Sequence, residues 1–391
     1  MKILVLATKP LALCSGDGLR FVNLARQLRP RHSFELLCFA KPGQAIDAES
    51  ALVFEKTTLL PFPSEPERSL SARVLSSLSP EHFMPESREM KRALEAILAG
   101  SACDLILDIG GLMLRNLPPE ASAPPVVVDS IDEPGITFER ALQQASLSEK
   151  PRLWRTLWLY SRINRQISTR ARANVYASDL DANYYARRFP GARVESIPNG
   201  VDAEFFHPSS IAPDPRLIAF EGNMGFEPNV DAAQFLCREI LPRLWNRQPT
   251  LRASLIGREP AESVRALANE RVFVSGTVAD IRELLWRASI FVCPMRLGAG
   301  IKNKILQAWG LGLPIVATPQ ALGGLAARDG ENVLIGDDAE SLAQAVQRLL
   351  DAPELGARLA SKGRQLVLEK YTWKIQAERF ETLFREVIQP R

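Results

Sequence analysis

The sequence is poor in the residues that hold metals and make disulfides. Its 391 residues include three histidines and five cysteines. Cys14, Cys38, Cys103, Cys237 and Cys293 are scattered and form no Cys-x-x-Cys pair, which argues against zinc and against a disulfide framework. Cys38 and Cys293 lie in apolar runs and read as small core residues. His32, His82 and His207 fall where a structural or solvated role is expected. No run of 18 apolar residues exists, so no membrane-spanning helix is expected. The opening MKILVLAT is too short for a signal peptide, and a cytoplasmic location is expected. A surplus of one charge is missing too. Lys and Arg total 48 against 45 for Asp and Glu, so no nucleic-acid partner is expected. There is no GxxxxGK[ST]. Gly16-Asp17-Gly18 and Gly298-Ala299-Gly300 each lack the third glycine of GxGxxG, which disfavours a dinucleotide dehydrogenase.

What is present is alternation. Strand-like apolar runs at 2–8, 34–40, 104–109, 125–130 and 173–178 are separated by helical stretches. A second series follows at 217–222, 251–256, 271–274, 289–293, 314–318 and 332–335, with helical segments at 229–246, 279–287, 301–311 and 338–351. This pattern predicts α/β architecture with doubly wound parallel sheets, and the length predicts two domains. The Pro- and Ser-rich stretch 61–87 reads as a loop. A linker is expected near 208–215.

One turn organises the second half. Phe291 to Thr318 reads as strand, glycine loop, helix and strand. A helix opening near Ile301 presents unpaired amides and partial positive charge, a ready anion site. Arg296, Lys302 and Lys304 flank it. Residues 300, 304 and 307 share one helical face, so Lys304 and Gln307 should point together and Lys302 elsewhere.

These residues also carry a resemblance. Gln307-Ala308 with Gly312-Leu313-Pro314-Ile315-Val316-Ala317-Thr318 resembles the EAxxxGxPVVAT motif of retaining, nucleotide-sugar-dependent glycosyltransferases of family 4. Ile197-Pro198-Asn199-Gly200-Val201-Asp202 and Phe220-Glu221-Gly222-Asn223-Met224 agree with it, and the Gly-Ile-Lys-Asn-Lys run looks closest to bacterial exopolysaccharide sugar transferases. The resemblance implies the GT-B fold: an acceptor-side Rossmann-like domain at 1–200, a donor-binding one at 201–370, a cleft between them, and a C-terminal segment 371–391 returning to the first domain. It implies transfer of a sugar from a UDP- or GDP-type nucleotide diphosphate sugar to a sugar, lipid-linked or other hydroxyl acceptor, with retention. No cofactor or metal is expected. Arg296 and Lys304 are the implied catalytic cations. Gly16, Gly18, Gly222, Asn223, Gly257, Val278, Gly298, Ala299, Gly300, Ile301 and Gln307 are the implied donor contacts.

The chain departs from the family in two places. The glutamates of the E-x7-E pair are replaced by Ala299 and Gln307. The Arg and Lys that usually follow the first strand of the second domain are replaced by Phe226-Glu227-Pro228-Asn229. Asp17, Asp129 and Asp132 sit at expected strand ends or crossover mouths and are candidate acceptor or sugar contacts.

The stretch 151–172 is basic and amphipathic. A domain helix that buries its Trp and Leu is the favoured reading, and a peripheral membrane patch is the alternative. Two further functions remain open: a GT-B nucleotide-sugar epimerase, or a non-catalytic GT-B binding subunit. The stripe Trp373, Ile375, Phe380, Leu383 and Phe384 predicts a final helix that must bury one face.

Overall fold

A computed structural model describes residues 1–13, 15–63, 84–100, 102–298 and 301–389. His82 and most of the 61–87 loop therefore lie outside the described residues. The chain divides into two units, Met1–Pro198 with Trp373–Arg391, and Asn199–Thr372.

The first unit is built on a seven-stranded sheet: β1 (Lys2–Ala7), β2 (Ser33–Ala40), β3 (Lys56–Pro61), β4 (Leu105–Ile109), β5 (Val126–Ile131), β6 (Ala173–Tyr176) and β7 (Val194–Ser196). Their spatial order is β3-β2-β1-β4-β5-β6-β7, with every pairing parallel. A parallel sheet is covered on both faces, so its central strands are apolar throughout. Ile3, Val5 and Ala7 join one core layer, while Leu4 and Leu6 join the other. The covering helices include α1 (Gly16–Leu28), α2 (Arg88–Gly100), α3 (Pro134–Gln144), α4 (Lys150–Arg170) and α5 (Asp179–Arg188).

The second unit has a six-stranded sheet: β8 (Asp214–Glu221), β9 (Arg252–Ile256), β10 (Val272–Val274), β11 (Ala288–Cys293), β12 (Ile315–Ala317) and β13 (Leu334–Ile335). The order is β10-β9-β8-β11-β12-β13, again all parallel. Its helices include α6 (Glu227–Phe235), α7 (Asn303–Gly310), α8 (Ala339–Asp351) and α9 (Pro353–Lys370). Sequence reading passes over α9 because Gly356 and Gly363 weaken its helical signal. Gly363 has a packing reason: a Cβ there would stand 2.1 Å from the Trp309 ring on α7.

The last helix, α10 (Trp373–Ile388), buries Trp373, Ala377, Phe380, Leu383, Phe384 and Val387 in the core of the first unit, against α1. An apolar stripe at helical spacing has to be covered, and this one closes one face of the sheet that begins the chain.

In each sheet the chain reverses its direction of growth at one place. These places lie between β1 and β4 in the first unit and between β8 and β11 in the second. Ligands of open α/β sheets bind outside the carboxyl ends of strands at such switch points.

Candidate functional site

The second unit concentrates its polar groups at its switch point. β8 ends at Glu221 and β9 at Ile256, and the Gly222 amide donates to the Ile256 carbonyl at 2.9 Å. The two chain ends come so close that a Cβ on Gly257 would stand 1.7 Å from the Gly222 oxygen. Gly257 also takes φ +144, a conformation that disfavours any side chain. Gly257 is therefore required by packing at a strand end.

Beyond β8, Asn223 accepts from the Gly225 amide at 2.9 Å and donates to Glu259 at 3.2 Å. Its carbonyl accepts from Asn229 Nδ2 at 2.8 Å. That fixes the amide of Asn229, a buried residue on the first turn of α6. Asn229 Oδ1 then accepts a 2.7 Å hydrogen bond from Lys304 Nζ.

Lys304 is on the first turn of α7 and is only 9% exposed. Its ammonium also lies 4.5 Å from the centre of the Phe220 ring, an attractive cation–π distance. Gly222 completes the pocket: a Cβ there would meet Lys304 Nζ at 2.7 Å and Asn229 Nδ2 at 2.8 Å. Glu221 is buried at the same strand end. Burial pushes its carboxyl above the ordinary range, and the charge of Lys304 partly offsets this. Burial also pushes the neighbouring Cys293 thiol up to about 12, so it stays protonated and inert.

The other cations of the turn are placed differently. Arg296 pairs with Asp231 on α6, at 2.6 and 3.1 Å, and its guanidinium lies 4.2 Å from the Phe235 ring centre. Glu239 stands 3.8 Å from it. Its charge is thus engaged by carboxylates of its own unit.

The helix opens at Asn303, later than the sequence suggests, and Lys302 occupies its N-cap in an extended conformation. The helical-face argument therefore does not reach Lys302. Its Nζ lies 3.3 Å from the place a Cβ would take on Gly298, so it borders the glycine loop instead of pointing away. Asn303 accepts from Asn199 Nδ2 at 3.0 Å, tying the Pro-Asn-Gly segment to the same helix start. Gln307 is partly exposed, one turn along from Lys304. Ile301 and Val278 are partly buried and pack on the core of the unit. Ala299 and Gly300 lie outside the described residues.

In the first unit, Gly16, Asp17 and Gly18 form the first turn of α1. Ser15 caps it, accepting from the Gly18 amide at 3.2 Å. Gly18 presses against the Ala12 carbonyl, 2.1 Å from where its Cβ would be, whereas Gly16 is exposed with open space beside it. Asp17 pairs with Lys9 at 3.1 Å.

Asp129 corrects an expectation. It is 2% exposed, and both its oxygens are bonded by Arg20, at 2.8 and 3.2 Å. It anchors α1 to β5 and has no oxygen turned to a ligand. Asp132 is exposed beyond the same strand. Between them Ile131 takes φ +67, a strained conformation for a β-branched residue.

His32 is buried with Nε2 3.1 Å from Glu381, and His207 Nδ1 lies 2.8 Å from the Pro208 carbonyl. His32 is thus a core residue, whereas His207 is exposed. The residues that sequence reasoning missed are Glu221 and Asn229. Glu221 stands inside a quoted motif and Asn229 in a stretch that departs from the family, and only the folded chain shows that Asn229 meets Lys304, 75 positions away.

Residues 215–352 match the family described as Glycosyl transferases group 1. Over 245 residues the chain is 27% identical to a GDP-mannose-dependent alpha-(1-6)-phosphatidylinositol monomannoside mannosyltransferase of Mycolicibacterium smegmatis, covering 56% of this chain and 63% of that one. The chain thus spans less than two thirds of that relative. The lipopolysaccharide core biosynthesis glycosyltransferase LpsE of Rhizobium meliloti is 32% identical over 104 residues, 26% of this chain and 30% of that one. Among solved structures, Anabaena HepE in complex with UDP aligns with a TM-score of 0.67 at 14% identity, over 99% of this chain and 100% of that one. Sucrose-phosphate synthase from Thermosynechococcus elongatus aligns with a TM-score of 0.70 at 16% identity, over 99% of each chain. The fold is accordingly GT-B, with two Rossmann-like domains.

Proposed function

We propose that this chain, whose second unit carries a group 1 glycosyltransferase domain, transfers a sugar from a nucleotide diphosphate sugar to a hydroxyl acceptor with retention at the anomeric carbon. One observation carries the reading. A buried ammonium, Lys304, is fixed by Asn229 on the first turn of a helix at the switch point of its sheet. Helix N-termini at such points favour anions, and a second cation, Lys302, borders the same loop.

The chemistry follows from charge. The anomeric C–O bond breaks and its electron pair passes to the diphosphate. The acceptor oxygen bonds to the anomeric carbon, and its proton passes to the departing diphosphate. Negative charge therefore grows on the leaving group, where preorganised cations and amides stabilise it most. Lys304 is preorganised in that sense, because its position is fixed before any ligand arrives. The resemblance to family 4 supports retention and a place in exopolysaccharide or other glycoconjugate synthesis. Relatives named for GDP-mannose and structures described with UDP-glucose support a donor of UDP or GDP type.

The test is a thermal-shift panel of UDP- and GDP-sugars against the full chain. A ligand of the folded state alone raises Tm with its concentration. One nucleotide class is expected to do so, and Lys304→Ala to reduce the shift at a given ligand concentration. If no nucleotide diphosphate sugar raises Tm, the reading fails.

A further inference from the structure

Helices α3, α4 and α5 of the first unit border a half-open cavity of about 260 Å³. Its walls are mostly rings and alkyl groups: Trp154, Leu157, Trp158, Tyr160, Tyr184 and Phe189. An apolar cavity of roughly 150 Å³ is enough to take up benzene, so this one has room for a longer hydrocarbon.

Three features define what would enter. First, Trp154 and Trp158 line the cavity yet remain 60% and 45% exposed. They form its rim and do not fill the core. The buried face of α4 is made by Leu159, Ile163, Asn164 and Ile167. The expectation that α4 would bury its tryptophans is therefore corrected.

Second, α4 carries Lys150, Arg152, Arg155, Arg162, Arg165 and Arg170 and not one acidic residue. Arg162 stacks over the Trp158 ring at 4.9 Å, which brings positive charge to the rim itself. Third, the two carboxylates on the wall are already satisfied. Glu133 accepts from the Gly135 amide, Asn164 and Tyr176, each at 2.9 Å, and Glu139 pairs with Arg188. An apolar interior beneath a cationic, tryptophan-lined rim complements a hydrocarbon chain attached to an anionic head.

We infer that this cavity seats one acyl or isoprenoid chain of an anionic membrane lipid, with Trp154 and Trp158 at the level of the headgroups. The inference is independent of the donor site and concerns the first unit alone.

Vesicles of phosphatidylcholine, with and without phosphatidylglycerol, test it by co-sedimentation with the full chain at low and high salt. Wild type is expected to bind anionic vesicles at low salt and to keep part of that binding at high salt. Chains brominated in the bilayer should quench its tryptophan fluorescence, and Trp154→Phe/Trp158→Phe should bind normally without that quenching. Ser161 is exposed and lines the cavity, so Ser161→Trp should fold, checked by its melting curve, yet obstruct the space. It should lower the salt-resistant binding on the order of ten-fold, the worth of about two buried methylenes. Binding lost entirely in high salt, with no quenching by brominated chains, would mean headgroup attraction alone and would overturn the inference. So would absence of binding to anionic vesicles, or unchanged salt-resistant binding by Ser161→Trp.

Discussion

Lys304 and Asn229 meet across the switch point of the second sheet, Nζ to Oδ1 at 2.7 Å, with both side chains buried. Asn229 is itself held by the Asn223 carbonyl, so the ammonium is positioned through two successive bonds. A charged hydrogen-bond partner is worth about 1.5–3 kcal/mol. Lys304→Ala should therefore weaken binding of a nucleotide diphosphate by roughly ten- to a hundred-fold. Asn229→Ala should cost about ten-fold by releasing the ammonium. Calorimetric titration reads both. Equal affinity of Asn229→Ala and wild type would dissociate the pair from donor binding.

Gly222 and Gly257 make a contrasting pair. At Gly222 a Cβ would meet side chains, the Lys304 ammonium at 2.7 Å and the Asn229 amide at 2.8 Å, whereas at Gly257 it would meet backbone. Gly222→Ala should fold with a smaller loss of Tm than Gly257→Ala and lose donor affinity, because the Lys304–Asn229 pair is displaced. Gly257→Ala should lose stability by several degrees or fail to fold, since φ +144 adds strain. Thermal melting followed by ligand titration separates the two outcomes.

Asp108 gives a pH signature unconnected with the donor site. It is fully buried on β4, with Oδ2 accepting from the Met113 amide at 3.0 Å and Oδ1 unpartnered. Burial holds its carboxyl well above the ordinary value of 3.8, against a partial offset from the Met113 and Gly111 amides. The folded state therefore binds this proton more tightly than the unfolded chain. Its contribution is complete below the unfolded value and falls as pH rises through the folded one. Asp108→Asn, a neutral isostere, should be more stable than wild type at neutral pH. Its advantage should grow from about pH 4 upward and then level off. Denaturant titrations at several pH values check this; an advantage constant across that range would refute it.

Phe380 tests the closure of the first unit. It is 1% exposed on α10, packs against Phe384 and lies under the Arg20 guanidinium at 5.3 Å. Phe380→Ala should cost about 3–5 kcal/mol. Truncation after Thr372 should leave that unit unfolded. A truncated chain with a cooperative, unshifted melt would refute the assignment.

Much of this was legible because it depends on local pattern. Alternating apolar runs give the two parallel sheets, and the stripe through Phe380 and Phe384 gives the last helix. The glycine turn before α7 was readable for the same reason. What escaped depends on long-range partners. Asp129 looks the same in sequence whether it faces solvent or Arg20, which is 109 positions away. The edge strand β3 escaped because its residues are largely exposed, without a buried alternating face. The side to which Lys302 points was misjudged because helical periodicity holds only inside a helix, and this helix starts at Asn303 with Lys302 as its N-cap. The tryptophans of α4 were expected inside because ring size alone argues for burial, yet its apolar edge is supplied by leucine and isoleucine.

The return of α10 to the first unit has a consequence for synthesis. A ribosome finishes the seven-stranded sheet long before it makes the helix that covers it, because the whole of the second unit is translated in between. At ~5–20 residues per second, that leaves the α1 face waiting on the order of ten seconds or more. During that interval the part of the core that α1 shares with α10 has no cover. The second unit is contiguous and emerges complete, so it can fold first although it lies later in the message. The nascent chain thus presents chaperones with a half-dressed amino-terminal sheet, and the codons for α10 decide when that sheet becomes a domain.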